Sequence, residues 1–360
     1  MNNKKFSRRD ILRGFLGSSL GCLTIPLLGK LPCKQRNRPK SYDFDKGMYA
    51  IITGSGSAMP DPERGNASAA VVIDGTILQF DCGRKAMDNL MLAGINPVNV
   101  DYIIFTHLHF DHIATYDYFI VSSWIAGKKE PFKVFGPPGT ADMSNGALFG
   151  KNKLNVKWWS KIRYRTVSGK REYLQPETEG PGNKPPVRVR DIDSGVIIED
   201  KSLKVTATEV NHWGSDLDAK TEANHWGPGL GTKSLAYRID SPYGSVAISG
   251  DTGPTQNMIE LAKGADLLIH ECVYPDDTQR TGHTHPTELG KLAQEAQVKK
   301  LVATHLGPFT SVEAAIEMSS PFYGSQQRLD MIAEFASAIK RNYHGPVIMA
   351  EDAMVFEVGN

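Results

Sequence analysis

Seven residues constrain this chain more than any others: Thr106-His107-Leu108-His109-Phe110-Asp111-His112. Upstream, Asp101-Tyr102-Ile103-Ile104-Phe105 is a short apolar run of strand type. Downstream, Ile113 to Ala126 is a helical mixture of apolar and small residues. The motif therefore falls in a loop between a strand and a helix, where side chains are free to converge on one point. Three imidazoles and one carboxylate within six residues suit zinc or a similar borderline metal. Magnesium and calcium prefer shells made of oxygen alone. A polar turn with Asp111 as helix N-cap would explain the carboxylate, but it leaves three histidines without a purpose.

The remainder of the composition is globular. Of 360 residues, 40% are hydrophobic and 22% charged, enough to bury a sizeable core in one large domain or two modest ones. The formal net charge of +1 offers no bulk electrostatic case for a polyanionic partner. Cys22, Cys33, Cys82 and Cys272 make neither a CxxC pair nor a disulfide framework. Residues 1–33 stand apart. Ser7-Arg8-Arg9-Asp10-Ile11-Leu12, followed by the small and apolar run Gly14 to Gly29, has the pattern of a twin-arginine signal peptide. That run is short, glycine-rich and broken by Pro26, which argues against a spanning anchor. Cys22 after Ser19-Leu20-Gly21 makes an imperfect lipoprotein cleavage box. Residues 34–47 read as a basic linker, and the folded domain is expected over 48–360 with an insertion at about 140–186.

Along that domain, Tyr49 to Thr53 reads as a strand, and Ala69 to Ile73 with Thr76 to Phe80 as a hairpin across Asp74-Gly75. Arg84 to Ala93 reads as a helix stopped by Gly94. Gly54-Ser55-Gly56-Ser57 is a tight turn without a phosphate-loop pattern after it. The insertion carries little signal and ends in an exposed loop, Glu179 to Pro186. Strand patterns return at Leu203 to Val210, Ser234 to Ile239, Ser245 to Ile248, Asp266 to His270 and Lys300 to Ala303. Helices are expected over Thr255 to Lys263, Pro286 to Gln294 and Ser325 to Asn342. Strands alternating with helices without a break predict one α/β domain.

Just past these strands fall the 106–112 loop, then His212, Asp251 and His305. The set holds five histidines and two aspartates, enough for two metals sharing one carboxylate. Asn211-His212-Trp213-Gly214 recurs as Asn224-His225-Trp226-Gly227; His212 is preferred as ligand because it directly ends a strand, with His225 lining the pocket. Together with Phe80-Asp81-Cys82-Gly83, Ser249-Gly250-Asp251-Thr252, Leu268-Ile269-His270-Glu271, His285-Pro286-Thr287 and Ala303-Thr304-His305, these motifs resemble the metallo-β-lactamase superfamily. Within it they are similar to the ribonuclease Z branch, from about Met48 to the C-terminus.

The resemblance implies a single-domain αββα sandwich with a dinuclear site at one edge. It implies that His107, His109 and His212 hold one divalent metal ion and that Asp111, His112 and His305 hold another, with Asp251 bridging. Zinc comes first by ligand chemistry, and manganese and iron also suit. The same resemblance implies a hydroxide held between the metals as nucleophile, His285 as donor of a hydrogen bond or proton near the scissile group, Glu271 orienting it, and Asp81 fixing the tautomer of a ligand histidine. The expected activity is hydrolysis of phosphodiester or aryl sulfate esters of small molecules by an exported enzyme. Export through the twin-arginine machinery, to the periplasm or a membrane tether, argues against nucleic acid as partner, as does the lack of a long basic stretch. A homodimer is an admissible assembly. A lactonase or β-lactamase-type hydrolase needs the same metal ligands, and a non-catalytic exported metal-binding protein is the alternative of a different class.

Overall fold

Turn chemistry sets the first meander. The computed structural model describes residues 42–149, 163–167, 170–174, 185–212, 233–278, 282–307 and 324–359. Strands β1 (Met48–Gly54), β2 (Ser68–Ile73) and β3 (Thr76–Phe80) pair antiparallel. Asp74 and Gly75 join the last two with φ of 44° and 80°, the left-handed pair that a two-residue hairpin with the sheet's twist requires. Helix α1 (Ala86–Ala93) closes on Gly94 at φ 94°, whose N–H meets the last carbonyls of the helix.

From here the pairing turns parallel: β4 (Tyr102–Ile104) lies beside β3, β5 (Phe132–Gly136) beside β4, and β8 (Val187–Asp191) beside β5. Between them stand α2 (Phe110–Ile113), α3 (Tyr116–Ile125), α4 (Thr140–Phe149) and a small hairpin of β6 (Arg163–Val167) and β7 (Lys170–Leu174). The single helix expected over Ile113 to Ala126 is thus two. Thr115 breaks it, because its N–H and hydroxyl both bond the carbonyl of Cys82 across the chain instead of continuing the helical ladder. The 140–186 stretch, which carried little sequence signal, contributes α4 and the β6–β7 hairpin.

The second half repeats the arrangement. Strands β9 (Gly195–Glu199), β10 (Lys204–Val210), β11 (Ser234–Ser241) and β12 (Gly244–Ile248) pair antiparallel; β13 (Leu267–Glu271), β14 (Leu301–Thr304) and β15 (Val347–Met349) continue parallel. Helices α5 (Gln256–Ala262), α6 (Pro286–Glu295) and α7 (Gly324–Lys340) complete it, and β16 (Val355–Glu357) crosses back to pair with β1. Two seven-stranded mixed sheets result, in the orders β16-β1-β2-β3-β4-β5-β8 and β15-β14-β13-β12-β11-β10-β9.

Three cores make this four layers. Phe80, Ile104, Tyr237, Ile248 and Ile269 fill the space between the sheets. Leu90, Phe105, Tyr116 and Phe119 seat α1 and α3 on the outer face of the first sheet. Met258, Leu289, Leu292 and Ile339 seat α5, α6 and α7 on the outer face of the second. Full burial of side chains of this size contributes roughly 1.5–3 kcal/mol each, so the layers are held by their interiors. The architecture is the expected αββα sandwich. Residues 41–360 form one compact unit, and among the described residues no helix is long and apolar enough to cross a membrane.

Candidate metal centre

Strands of both sheets deliver the site from their C-terminal ends. Asp81 follows β3 and His305 follows β14, with φ of 58° and 59°. Left-handed backbone is strained for residues with a side chain, and here it turns each one off its strand toward the sheet edge. Gly250, between β12 and Asp251, sits at φ 58°, and a Cβ there would lie 2.6 Å from Thr106 Cβ. The Asp251 turn is therefore pressed directly onto the histidine loop.

That loop is fixed from behind. The Asp81 carboxylate accepts hydrogen bonds from Thr106 N and Oγ1, each at 2.8 Å, and meets His112 Nδ1 at 2.7 Å. Because the Thr106 hydroxyl proton goes to Asp81, its oxygen accepts from His107 Nδ1, 3.0 Å away. His212 Nδ1 lies 2.7 Å from the Gly282 carbonyl. In His107, His112 and His212 the proton is thus held on Nδ1, leaving the Nε2 lone pair for the centre. Those atoms converge. His212 Nε2 is 3.1 Å from His109 Nδ1 and 3.8 Å from Asp251 Oδ2. Asp251 Oδ1 lies 3.3 Å from His112 Nε2, and Asp251 Oδ2 lies 3.2 Å from His305 Nε2 and 4.0 Å from His107 Nε2. Asp111 Oδ2 is 3.5 Å from His112 Nε2 and 3.4 Å from His305 Nε2.

The donors fall into a group of His107, His109 and His212 and a group of Asp111, His112 and His305, each with ligand atoms within 4.8 Å of one another. Asp251 reaches both, grouping with His107 and His112. The donor set fits divalent cations on a further observation. Nε2 of His107, His112 and His305, with Asp111 Oδ2 and Asp251 Oδ1, are buried and make no hydrogen bond among the described residues. Buried polar atoms are satisfied in nearly all folded proteins, and a cation meets lone pairs aimed at one point.

Electrostatics separate the two groups. Burial holds His107 well below the ordinary histidine value, lowers His109, and takes His212 down to about 3, so these rings are neutral. Burial would lower His112 as well, but Asp251, Asp111 and Asp81 outweigh it and hold the ring well above the usual value. Burial of His305 is likewise outweighed, by Asp251 and Asp111, and its value is raised. Burial would raise Asp251, yet His305 and His112 hold it well below the carboxylate range. The carboxylates thus favour positive charge beside His112 and His305.

Glu271, the last residue of β13, is fully buried and meets His283 Nδ1 at 2.8 Å. The same oxygen, Oε1, also accepts from the N–H groups of Thr252 and Thr284, each at 3.2 Å, and Oε2 accepts from the Val273 N–H at 3.3 Å. His283 in turn groups with His212 and Asp251. This corrects the expectation that Glu271 orients His285. The His285 ring lies 2.9 Å from the Pro275 carbonyl, and the backbone N–H of His285 bonds Glu288 Oε2 at the start of α6. Sequence reasoning left His283 unassigned and gave Thr106 no role; the Gly282-His283-Thr284-His285 repeat was the available signal, but it does not say which ring faces inward. His270 is fully buried, with Nδ1 bonded to the Glu271 carbonyl and burial lowering its pKa. His225, and with it the second Asn-His-Trp-Gly segment, lies outside the described residues, as does the leader. Cys82 and Cys272 are buried free thiols.

The Beta-lactamase superfamily domain model matches residues 77–306, most of the chain. The chain belongs to the beta-lactamase superfamily. Among curated superfamily relatives, a ribonuclease Z of Methanothermobacter thermautotrophicus is 28% identical over 293 residues, covering 72% of this chain and 86% of that protein. In shape this superfamily member is similar to the metallo-beta-lactamase fold protein YhfI from Bacillus subtilis, with TM-score 0.59, 17% identity, and coverage of 86% of this chain and 98% of that one. It is also similar to the short form of human tRNase Z, with TM-score 0.56, 20% identity, and coverage of 86% and 99%. The exclusion of nucleic acid as partner does not stand. A protein that matches over most of its own length is named ribonuclease Z. Neither the export signal nor the lack of a long basic stretch decides it, because contact with a phosphodiester depends on charge local to the site and not on a contiguous run or on the sum over the chain.

Proposed function

We propose that the protein is a metal-dependent hydrolase of phosphodiesters, RNA among them, and that residues 1–33 direct its export. The observation that carries the reading is the Glu271–His283 pair beside Asp251. Cleavage of a phosphodiester expels an alkoxide, which needs a proton as the P–O bond breaks. A positioned acid contributes about 10²–10⁴-fold to such a step. The bond of His283 Nδ1 to the Glu271 carboxylate holds the ring beside His212 and Asp251, where it would serve the leaving oxygen.

His107, His109 and His212 would hold one cation, Asp111, His112 and His305 the other, with Asp251 touching both. Bound divalent cations, zinc by donor chemistry with manganese and iron also suited, supply Lewis-acid stabilisation and activated water at neutral pH. Around them, Asp81 and Thr106 hold the His107 and His112 rings in the ligating tautomer, and Gly282 O does the same for His212. Relatives named ribonuclease Z support the phosphodiester class, and the Ser7-Arg8-Arg9 leader supports export.

The test uses the zinc-loaded full chain with four substrates: a bis-aryl phosphodiester, an RNA hairpin with a 3′ extension, an aryl sulfate and an aryl lactone. Turnover of the phosphodiesters, abolished in Asp251→Ala, is the expected result. Turnover confined to the sulfate or the lactone overturns the reading. Export is tested separately by cell fractionation of the natural chain and of a variant with Arg8→Lys and Arg9→Lys; equal retention of both inside the cell would sink that part.

A further inference from the structure

Each buried ring that aims Nε2 at the centre has its other nitrogen accounted for, with one exception. His107, His112 and His212 give Nδ1 to Thr106, Asp81 and Gly282 respectively. His305 does not. Its Nε2 faces Asp111 and Asp251, so Nδ1 points away from them; the residue is 3% exposed, and no protein group hydrogen-bonds that nitrogen. The hydroxyl of the preceding residue, Thr304, is also buried and also meets no protein partner. Both residues line one cavity of about 30 Å³ between the sheets, together with Ser68, Ala69 and Ser249, and the same cavity borders Asp81, His112, Asp251 and Glu271. A polar site that holds one water needs only ~10–15 Å³ of such space and two to four partners.

We infer that an ordered water sits in this cavity, accepts a hydrogen bond from His305 Nδ1–H and bonds the Thr304 hydroxyl. Thr304 is then a positioning residue for His305. The Ser68 hydroxyl, which gives its proton to the Asn66 carbonyl at 3.3 Å, keeps a lone pair for the water's remaining hydrogen. The consequence is tautomeric. With the proton held on Nδ1, the Nε2 lone pair faces Asp111 and Asp251 and is ready for a cation. In the opposite tautomer the proton occupies Nε2 and must leave before a cation can bind. The left-handed backbone of His305 turns the residue off β14 to line this cavity, and the water does for His305 what Asp81 does for His112.

This inference rests on the metal-centre reading, and the test keeps the two apart. Crystals of the full chain, zinc-loaded and zinc-free, would be compared for wild type, Thr304→Ser, Thr304→Val and Ala69→Val. The valine at 304 removes the hydroxyl at constant shape; the valine at 69 fills the cavity without touching Thr304. A water within hydrogen-bonding distance of His305 Nδ1 is expected in wild type and Thr304→Ser and absent from both valine variants. Chelator competition should show the more weakly held zinc lost about tenfold more readily in the valine variants, with Thr304→Ser near wild type. A dry cavity in wild type overturns the inference, as does unchanged zinc affinity in both valine variants. Failure of wild type to bind zinc at all would instead sink the metal-centre reading, while the zinc-free crystals still decide on the water.

Discussion

At the scale of single residues, two histidines two positions apart have different chemistry because they have different neighbours. His283 is held by a buried carboxylate and stands with His212 and Asp251, whereas His285 closes the start of α6. His283→Ala is expected to lower kcat on a phosphodiester by about 10²–10⁴-fold with bound metal and KM little changed. Glu271→Gln should follow it in direction, because the carboxylate that holds the ring in place is gone. His285→Ala should cost mainly stability, on the order of 1 kcal/mol, through loss of its partly buried bond to the Pro275 carbonyl. Steady-state kinetics beside metal analysis of the three variants reads this out; equal losses in His283→Ala and His285→Ala would refute the assignment. The seven candidate ligands were legible because histidines and aspartates just past apolar runs have few other uses. The acid was not. Pro286 drew attention to His285, yet a proline that opens a helix makes the residue before it a cap. What singles out His283 is Glu271, twelve residues earlier, and only the fold brings the two together.

At the scale of elements, the strands of the two large sheets could be read because they carry an apolar pattern and a turn at the end, whereas the polar β6–β7 hairpin could not. The α2–α3 break could not, because it comes from Thr115 bonding a carbonyl on a distant segment. The same distinction governs the β12 turn. Ser249-Gly250-Asp251-Thr252 reads as a turn, but why glycine is required follows only from the fold: left-handed backbone combined with Thr106 in the space a side chain would take. Gly250→Ala should therefore carry both a backbone cost, of order 1–3 kcal/mol, and a displacement of Asp251 that empties the centre. Gly264 is a control, since it is left-handed at φ 66° with nothing within 4 Å of the place a Cβ would take. Gly264→Ala should lower the urea midpoint and leave bound metal unchanged. If Gly250→Ala retains full metal content, the turn does not position Asp251 in the way described.

At the scale of the whole molecule, the centre joins the two sheets. His107 and His109 follow a strand of the first sheet and His212 one of the second; Asp111 and His112 are likewise joined by His305. Each cation would thus link both layers at their edge, where the apolar core between them ends. Binding to the folded chain alone stabilises it by about 4 kcal/mol at a thousandfold excess over Kd, so a chelator should lower the unfolding temperature by many degrees. Acid should remove the two cations in a definite order. Protons and cations compete for the same ring nitrogens. His107, His109 and His212 are held below the ordinary histidine value, so acid must go well under pH 6.5 before it contests that group. His112 and His305 are held above it, so protons contest their group at higher pH. Asp111 and Asp251 are held below the carboxylate value and stay charged through this range, adding no dependence of their own. As pH falls from 8 toward 5, the cation held by Asp111, His112 and His305 should therefore leave first. Metal content after dialysis should step from two per chain to one before it reaches none, and Asp111→Asn, which weakens only that group, should remove the first step. Simultaneous loss of both cations in wild type would mean that the shared Asp251 couples the groups more strongly than their separate surroundings divide them.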